Sequence, residues 1–207
     1  MSDAQPESAS PSTGGPMHIP VLHHVNLKTT RLQAMIDWYG LVAGLRPNHQ
    51  FPGGAWLSND EANHRLALLA SPDFNDDPDR LTRAGLHHTA FEYASLDELL
   101  DTYERLAPQG IAPHACLDHG MTISFYYVDP DGNSLELQAD NFGDWTRSTG
   151  FMTDDPAFAE NPIGVSVDPA QMAAARAKGA NAPELHARAY AGEFEPDEPL
   201  DLRVPLG

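Results

Sequence analysis

Three side chains in this sequence can do metal chemistry, and they sit at matching places along the chain: His24 in LHHVNL, His88 in LHHTAF and Glu136 in NSLELQ. Two imidazoles and one carboxylate on short β-segments can cap one face of a divalent ion, leaving the other face open to exchangeable ligands. Glu136 stands between Leu135 and Leu137 in a segment patterned for burial, where a carboxylate must be paired or coordinate a cation. A histidine doublet enters an apolar strand twice, each time with a helix-like stretch after it. The pattern reads as one unit used twice.

The elements that must position these groups also repeat. Residues 20–28 read as a strand, and Leu32, Met35, Ile36, Tyr39 and Val42 recur at helical spacing over 32–44, with Gly44 as a stop. Strands are expected near 46–51, 54–59 and 64–70, broken by Pro52-Gly53-Gly54 and Asn59-Asp60. A Pro- and Asp-rich linker, SPDFNDDPDR (71–80), follows. The order then returns: a strand at 85–93, a helix at 96–107 whose Ser95 and Glu98 form a capping box, and strands near 111–116, 121–128 and 133–139. Asp129-Pro130-Asp131-Gly132-Asn133 supplies the last hairpin turn. Neither half can cover both faces of its sheet alone. The expected fold is therefore α+β: two βαβββ modules (18–70 and 85–140 within one domain, 18–140) forming one cupped mixed sheet around a metal site, plus a C-terminal extension over 141–207. In the extension, 170–180 reads as an Ala-rich helix, with order to about 190 and an acidic, Pro-rich tail beyond. Residues 1–17 read as a disordered leader, without the basic start and apolar core of a signal peptide.

Composition narrows the function classes. The 207 residues, 41% of them apolar, suffice for one sizeable core or two fused modules. A formal net charge of −18 argues against a nucleic-acid partner. No apolar run approaches the roughly 18–20 residues of a membrane span, so no membrane partner is expected. Cys116 is the single cysteine, which excludes an intramolecular disulfide and suits a reducing cytoplasm.

Five segments carry a family resemblance: HHVNL (23–27), NHRLAL (63–68), GLHHTAFE (85–92), DHGMTISFYYVDPDGNSLELQADNF (118–142) and NPIGVSVDP (161–169). Over residues 18–190 the chain resembles the vicinal oxygen chelate superfamily, and within it the single-domain type I extradiol ring-cleavage dioxygenases. The resemblance implies that His24, His88 and Glu136 hold iron(II), with manganese(II) fitting the same donors; zinc would bind but cannot pass an electron to oxygen. It implies His64 as the acid–base residue, His119 as a further active-site histidine, and Tyr126 as the tyrosine that hydrogen-bonds a substrate oxygen. Strand alternation would put His23 and His87 on the opposite face from their neighbours, and Tyr127 in the core. The implied reaction opens the ring of a catechol with dioxygen beside a hydroxyl-bearing carbon. The implied partners are a small aromatic diol and O2, with a homo-oligomer expected. Trp56, Phe142, Trp145 and Phe151 are candidates for an aromatic pocket.

Three rivals share the scaffold. A glyoxalase-type isomerase needs a carboxylate on the last strand of the first half, where aligning RLALLA with SLELQA puts Ala67 opposite Glu136. A metal-free small-molecule-binding resistance protein would lack the ligands. A structural homologue would bind metal without turnover. Metal analysis and oxygen uptake with a catechol separate them.

Overall fold

The first apolar period builds β1 (Val25–Thr29), α1 (Leu32–Ala43), β2 (Arg46–Phe51), β3 (Gly54–Ser58) and β4 (Leu66–Ala70) in a computed structural model that describes residues 17–205. Helix α1 buries Met35, Ile36, Tyr39 and Val42, the stripe read from the sequence. It ends at Gly44, whose left-handed backbone lets its N–H reach the Tyr39 carbonyl. The second period builds β5 (His88–Tyr93), α2 (Leu96–Leu106), β6 (Ala115–Asp118), β7 (Thr122–Val128) and β8 (Ser134–Asp140). Ser95 caps α2 by accepting from the Glu98 N–H at 3.3 Å, while the Glu98 carboxylate accepts from the Ala94 N–H at 3.1 Å.

The register makes the repeat explicit. Strand β1 pairs parallel with β4 as Val25↔Leu66, and β5 pairs parallel with β8 as Thr89↔Leu135. The cup is divided into a four-stranded sheet, β1-β4-β3-β2, and a five-stranded one, β5-β8-β7-β6 with β9 (Val165–Ser166) on its far edge. One face of each sheet packs with α1 and α2 into a shared core around Tyr39, Leu57, Leu68, Leu99, Phe125, Tyr127 and Leu137. The modules are tied together at the DPDGN hairpin, where the Tyr39 hydroxyl donates to buried Asp129 at 3.1 Å and Arg31 pairs with buried Asp131 at 2.6 Å.

Two strand boundaries shift for backbone reasons. Strand β1 starts only at Val25, whose N–H makes the first ladder bond to the Arg65 carbonyl at 3.1 Å. Strand β6 starts at Ala115 rather than near 111 because Pro113 has no donor, and pairing begins with the His114 N–H on the Tyr126 carbonyl.

The extension holds more helix than its periodicity suggests: α3 (Trp145–Asp154), α4 (Pro156–Glu160), α5 (Pro169–Ala177) and α6 (Ala182–Tyr190). The missed signal was capping chemistry. Asp144, Asp155, Asp168 and Asn181 each accept from a first-turn N–H, three of them with Pro at the first or second helical position. Helix α5 is anchored to α2 by Arg176, which pairs with Asp101 at 2.7 Å. Phe194 is buried, and its carbonyl accepts from the Asp168 N–H at 2.7 Å. Apart from Met17, the expected leader lies outside the described residues. Among the described residues no helix is long and apolar enough to cross a membrane.

Candidate active site

Parity along the second sheet separates core from site. Phe125, Tyr127, Leu135 and Leu137 face α2, whereas Tyr126, Glu136 and His88 alternate to the other face. Tyr126 and Glu136 are register partners, so their side chains meet: the Tyr126 hydroxyl donates to Glu136 Oε1 at 2.9 Å. Glu136 Oε2 lies 3.0 Å from His88 Nε2. On the other side of Tyr126, His119 Nε2 lies 3.0 Å from the hydroxyl, and His119 Nδ1 donates to the Ile163 carbonyl at 2.6 Å. Tyr126, Glu136 and His88 thus form a hydrogen-bonded chain across three strands; His119, with its proton on Nδ1, sets Nε2 beside the hydroxyl as a second acceptor competing for the one phenol proton. Glu136 is 6% exposed. Burial pushes its carboxyl up, but hydrogen bonds led by His88 outweigh that and hold it below its ordinary range, so it is ionised at neutral pH. Burial, reinforced by the Glu136 charge, drives the Tyr126 phenol well above its ordinary range and keeps the proton on its oxygen.

The first module gathers a second group. His64 stands in the irregular stretch before β4, so strand parity does not bind it, and its ring centroid lies 4.3 Å from that of His24 and 5.2 Å from that of His23. Among the described residues, His23, His24 and His64 are the one set of three candidate ligands whose donor atoms all lie within 4.8 Å of one another. His23 therefore does not turn away from His24; the Nδ1 atoms of the two rings are 3.1 Å apart. The same holds for His87 and His88 at 2.7 Å, with His87 Nε2 donating to the Leu202 carbonyl at 2.9 Å. Burial, aided by the two neighbouring imidazoles, lowers the His64 pKa and favours its neutral, proton-accepting form.

His24 and His88 face common space: a cavity of about 910 Å³ is lined by His23, His24, His88, Ala90 and Trp145, among others, while Glu136, Tyr126, His119 and His64 are not in its lining. Trp145 is held at its rim by an indole N–H donated to Glu92 at 3.1 Å. Of the other aromatic candidates, Trp56 stacks on His49 and lies 6.4 Å from His64. Phe142 and Phe151 instead pack together near His186 and Tyr190, behind the His119 turn. The donor chemistry suits a first-row divalent ion. His88 Nε2 and Glu136 Oε2, 3.0 Å apart, are adjacent nitrogen and oxygen donors that could both turn to such an ion.

The family model of the Glyoxalase/Bleomycin resistance protein/Dioxygenase superfamily matches residues 21–137. The chain belongs to that superfamily. Within the superfamily, it is 41% identical over 180 residues to Biphenyl-2,3-diol 1,2-dioxygenase 2 of Rhodococcus globerulus, covering 87% of this chain and 94% of the relative. Biphenyl-2,3-diol 1,2-dioxygenase 3 of the same organism is 39% identical over 176 residues, covering 85% and 92%. A solved glyoxalase/dioxygenase from Nostoc punctiforme superposes with a TM-score of 0.52 at 20% identity, covering 64% of this chain and 99% of that one, a likeness of fold alone.

Sequence reasoning missed two neighbours of this group of side chains. His114 donates to the Asp201 carbonyl at 2.8 Å through Nδ1 and lies 3.0 Å from the Ser134 hydroxyl through Nε2. Leu200 and Leu202 pack against Tyr126, Ala115 and Leu117, covering part of the site-bearing face. No pattern links a Pro-rich tail to a strand so far upstream, so nothing in the sequence signalled either contact.

Proposed function

We propose that this chain is an extradiol dioxygenase that opens the ring of a catechol-type substrate with O2 at one iron(II), held by His24, His88 and Glu136, with manganese(II) compatible with the same donors. The observation that carries this reading is the buried, ionised Glu136 paired with His88, on the strands that repeat-match those of Ala67 and His24. Ala67 offers no fourth ligand, which disfavours a glyoxalase-type isomerase. When bound, the ion supplies an electron path between catechol and dioxygen, together with exchangeable coordination positions. The protein supplies orientation and proton control. Tyr126, its phenol kept protonated, offers a hydrogen bond to a substrate oxygen. His64, kept neutral, accepts a proton released from the diol on binding and returns it as the ring opens. His119 offers a second imidazole beside the Tyr126 hydroxyl, with Nε2 able to accept a proton. The apolar part of the cavity wall, Ala90 and Trp145, suits an aromatic ring.

The relatives' names favour a biphenyl-type diol among possible catechols. The single buried cysteine, Cys116, suits the cytoplasm, and a homo-oligomer remains our expectation. Anaerobic loading with iron(II), followed by oxygen uptake with biphenyl-2,3-diol and with unsubstituted catechol, tests the reading. Oxygen consumption with a yellow ring-opened product is expected. A fully iron-loaded protein that consumes no oxygen with any catechol would refute it.

A further inference from the structure

The turn that carries His119 is gripped from the C-terminal side by four separate elements. Asp118, fully buried, accepts from the Gly120 N–H at 2.8 Å and from His186 Nδ1 at 2.7 Å, while Asn141 donates to the Gly120 carbonyl at 3.0 Å. His186 comes from α6, and since its Nδ1 proton goes to the carboxylate, its 3.0 Å approach to the Asn141 amide is a contact rather than a second hydrogen bond. The Ile163 carbonyl comes from the turn before β9, and β9 itself pairs with β6 as Leu117↔Ser166 and Asp118↔Val165. The fit leaves no room for a side chain on either side. A Cβ on Gly120 would collide with the Phe151 ring of α3, and one on Gly164 would collide with the Asp118 carbonyl and sit 2.7 Å from the His119 Cα. Both glycines also have positive φ.

A hairpin turn needs none of this to close; the histidine does. A carbonyl can only accept, so the Ile163 contact forces the His119 proton onto Nδ1 and leaves Nε2 an unprotonated acceptor beside the Tyr126 hydroxyl, in competition with Glu136 for its one proton. We propose that Ile163 and His186 are positioning residues: the Ile163 carbonyl fixes the tautomer of His119, and His186, acting through Asp118, fixes the turn, so that His119 presents Nε2 to Tyr126. This accounts for the NPIGVSVDP segment, whose backbone rather than whose side chains would then matter. The kinetic part rests on the reading of His119 and Tyr126 given above; the tautomer part does not.

The test therefore has two arms. In the full-length, zinc-loaded protein labelled with 15N-histidine, NMR should report His119 as a single Nδ1–H tautomer. His186→Phe should give a mixture, and His186→Asn, whose amide N–H can stand in for Nδ1–H, should restore the single form. In the iron-loaded enzyme with biphenyl-2,3-diol, His186→Phe should lower kcat by about 10–100-fold, the usual effect of losing an orienting partner, with KM little changed and His186→Asn recovering most of the loss. In a His119→Phe background the same substitution should cost nothing further. If His186→Phe fails to fold, His186→Gln, which keeps a donor but displaces it, carries both arms. An unchanged tautomer in the His186 variants, or a kinetic loss that simply adds to that of His119→Phe, would overturn the proposal. If the wild-type protein does not turn over a catechol, the functional reading fails while the tautomer arm still decides the positioning.

Discussion

The two modules share a backbone and, of three equivalent site positions, agree at one and differ at two. His24 and His88 both lead into a first strand, but Ala67 stands where Glu136 does, and Trp56, the register partner of Ala67, stands where Tyr126 does. Their surroundings differ as well. The second module has β9, α6 and the Leu200–Leu202 tail packed on it. In the first, β2 is exposed along its whole length, and Trp56 and Leu69 are exposed. The same fold thus yields a hydrogen-bonded carboxylate in one copy and an aromatic wall in the other. A buried carboxylate is tolerable only where donors converge on it, and only the second module has them.

The strongest way to break this contrast is to erase it. Glu136→Ala makes the second module match the first at that position, and the same logic applies to His24→Ala and His88→Ala. Each is expected to abolish stoichiometric iron binding, read by metal analysis, with the far-UV spectrum preserved. Full iron retention in Glu136→Ala would show that the third ligand is misassigned. Stripping the second module of its cover by truncation after Ala139 should remove catechol turnover or change the oligomeric state, read by oxygen uptake and light scattering. A truncated chain of unchanged activity and assembly would leave the extension without a role.

Removing the first module's own contribution is predicted to be milder. His64→Phe should keep iron and bind catechol while turnover falls by roughly 10²–10⁴, the usual effect of a placed proton-transfer group. Near-normal turnover with full iron would shift that role to His119. The smallest effect concerns the tie between the modules. Tyr39→Phe leaves Asp129 buried with one donor fewer, costing about 1–3 kcal/mol. Urea unfolding should show a lower midpoint at unchanged slope; no shift would mean that this contact does not couple the halves.

Much of this site was legible in the residues themselves. Alternation in SFYYV and SLELQ set which of Tyr126, Tyr127, Leu135 and Glu136 face the core, because a strand offers only two sides. The alignment of RLALLA with SLELQA is reproduced by the ladder registers, because matching hydrophobic patterns fix register wherever one face is buried. The capping box at Ser95 was equally local. His64 was harder. Three residues from Ala67, it would face the opposite side on a regular strand, and its turn toward His24 depends on an irregular loop pinned by Asn48, whose amide donates to the Asn63 carbonyl at 3.0 Å.

The sequence by itself determined the repeat, the face each strand presents and the chemical identity of the donors, since all three follow from periods of two and 3.6 residues and from side-chain type. Only the tertiary structure decided that His119 is locked by Ile163 and its turn by His186, that the tail lies against Tyr126, and that His23 joins His24 and His64. Those contacts join residues far apart along the chain, through loops whose closure costs little more as they lengthen. They therefore leave no local period or spacing from which they could have been read.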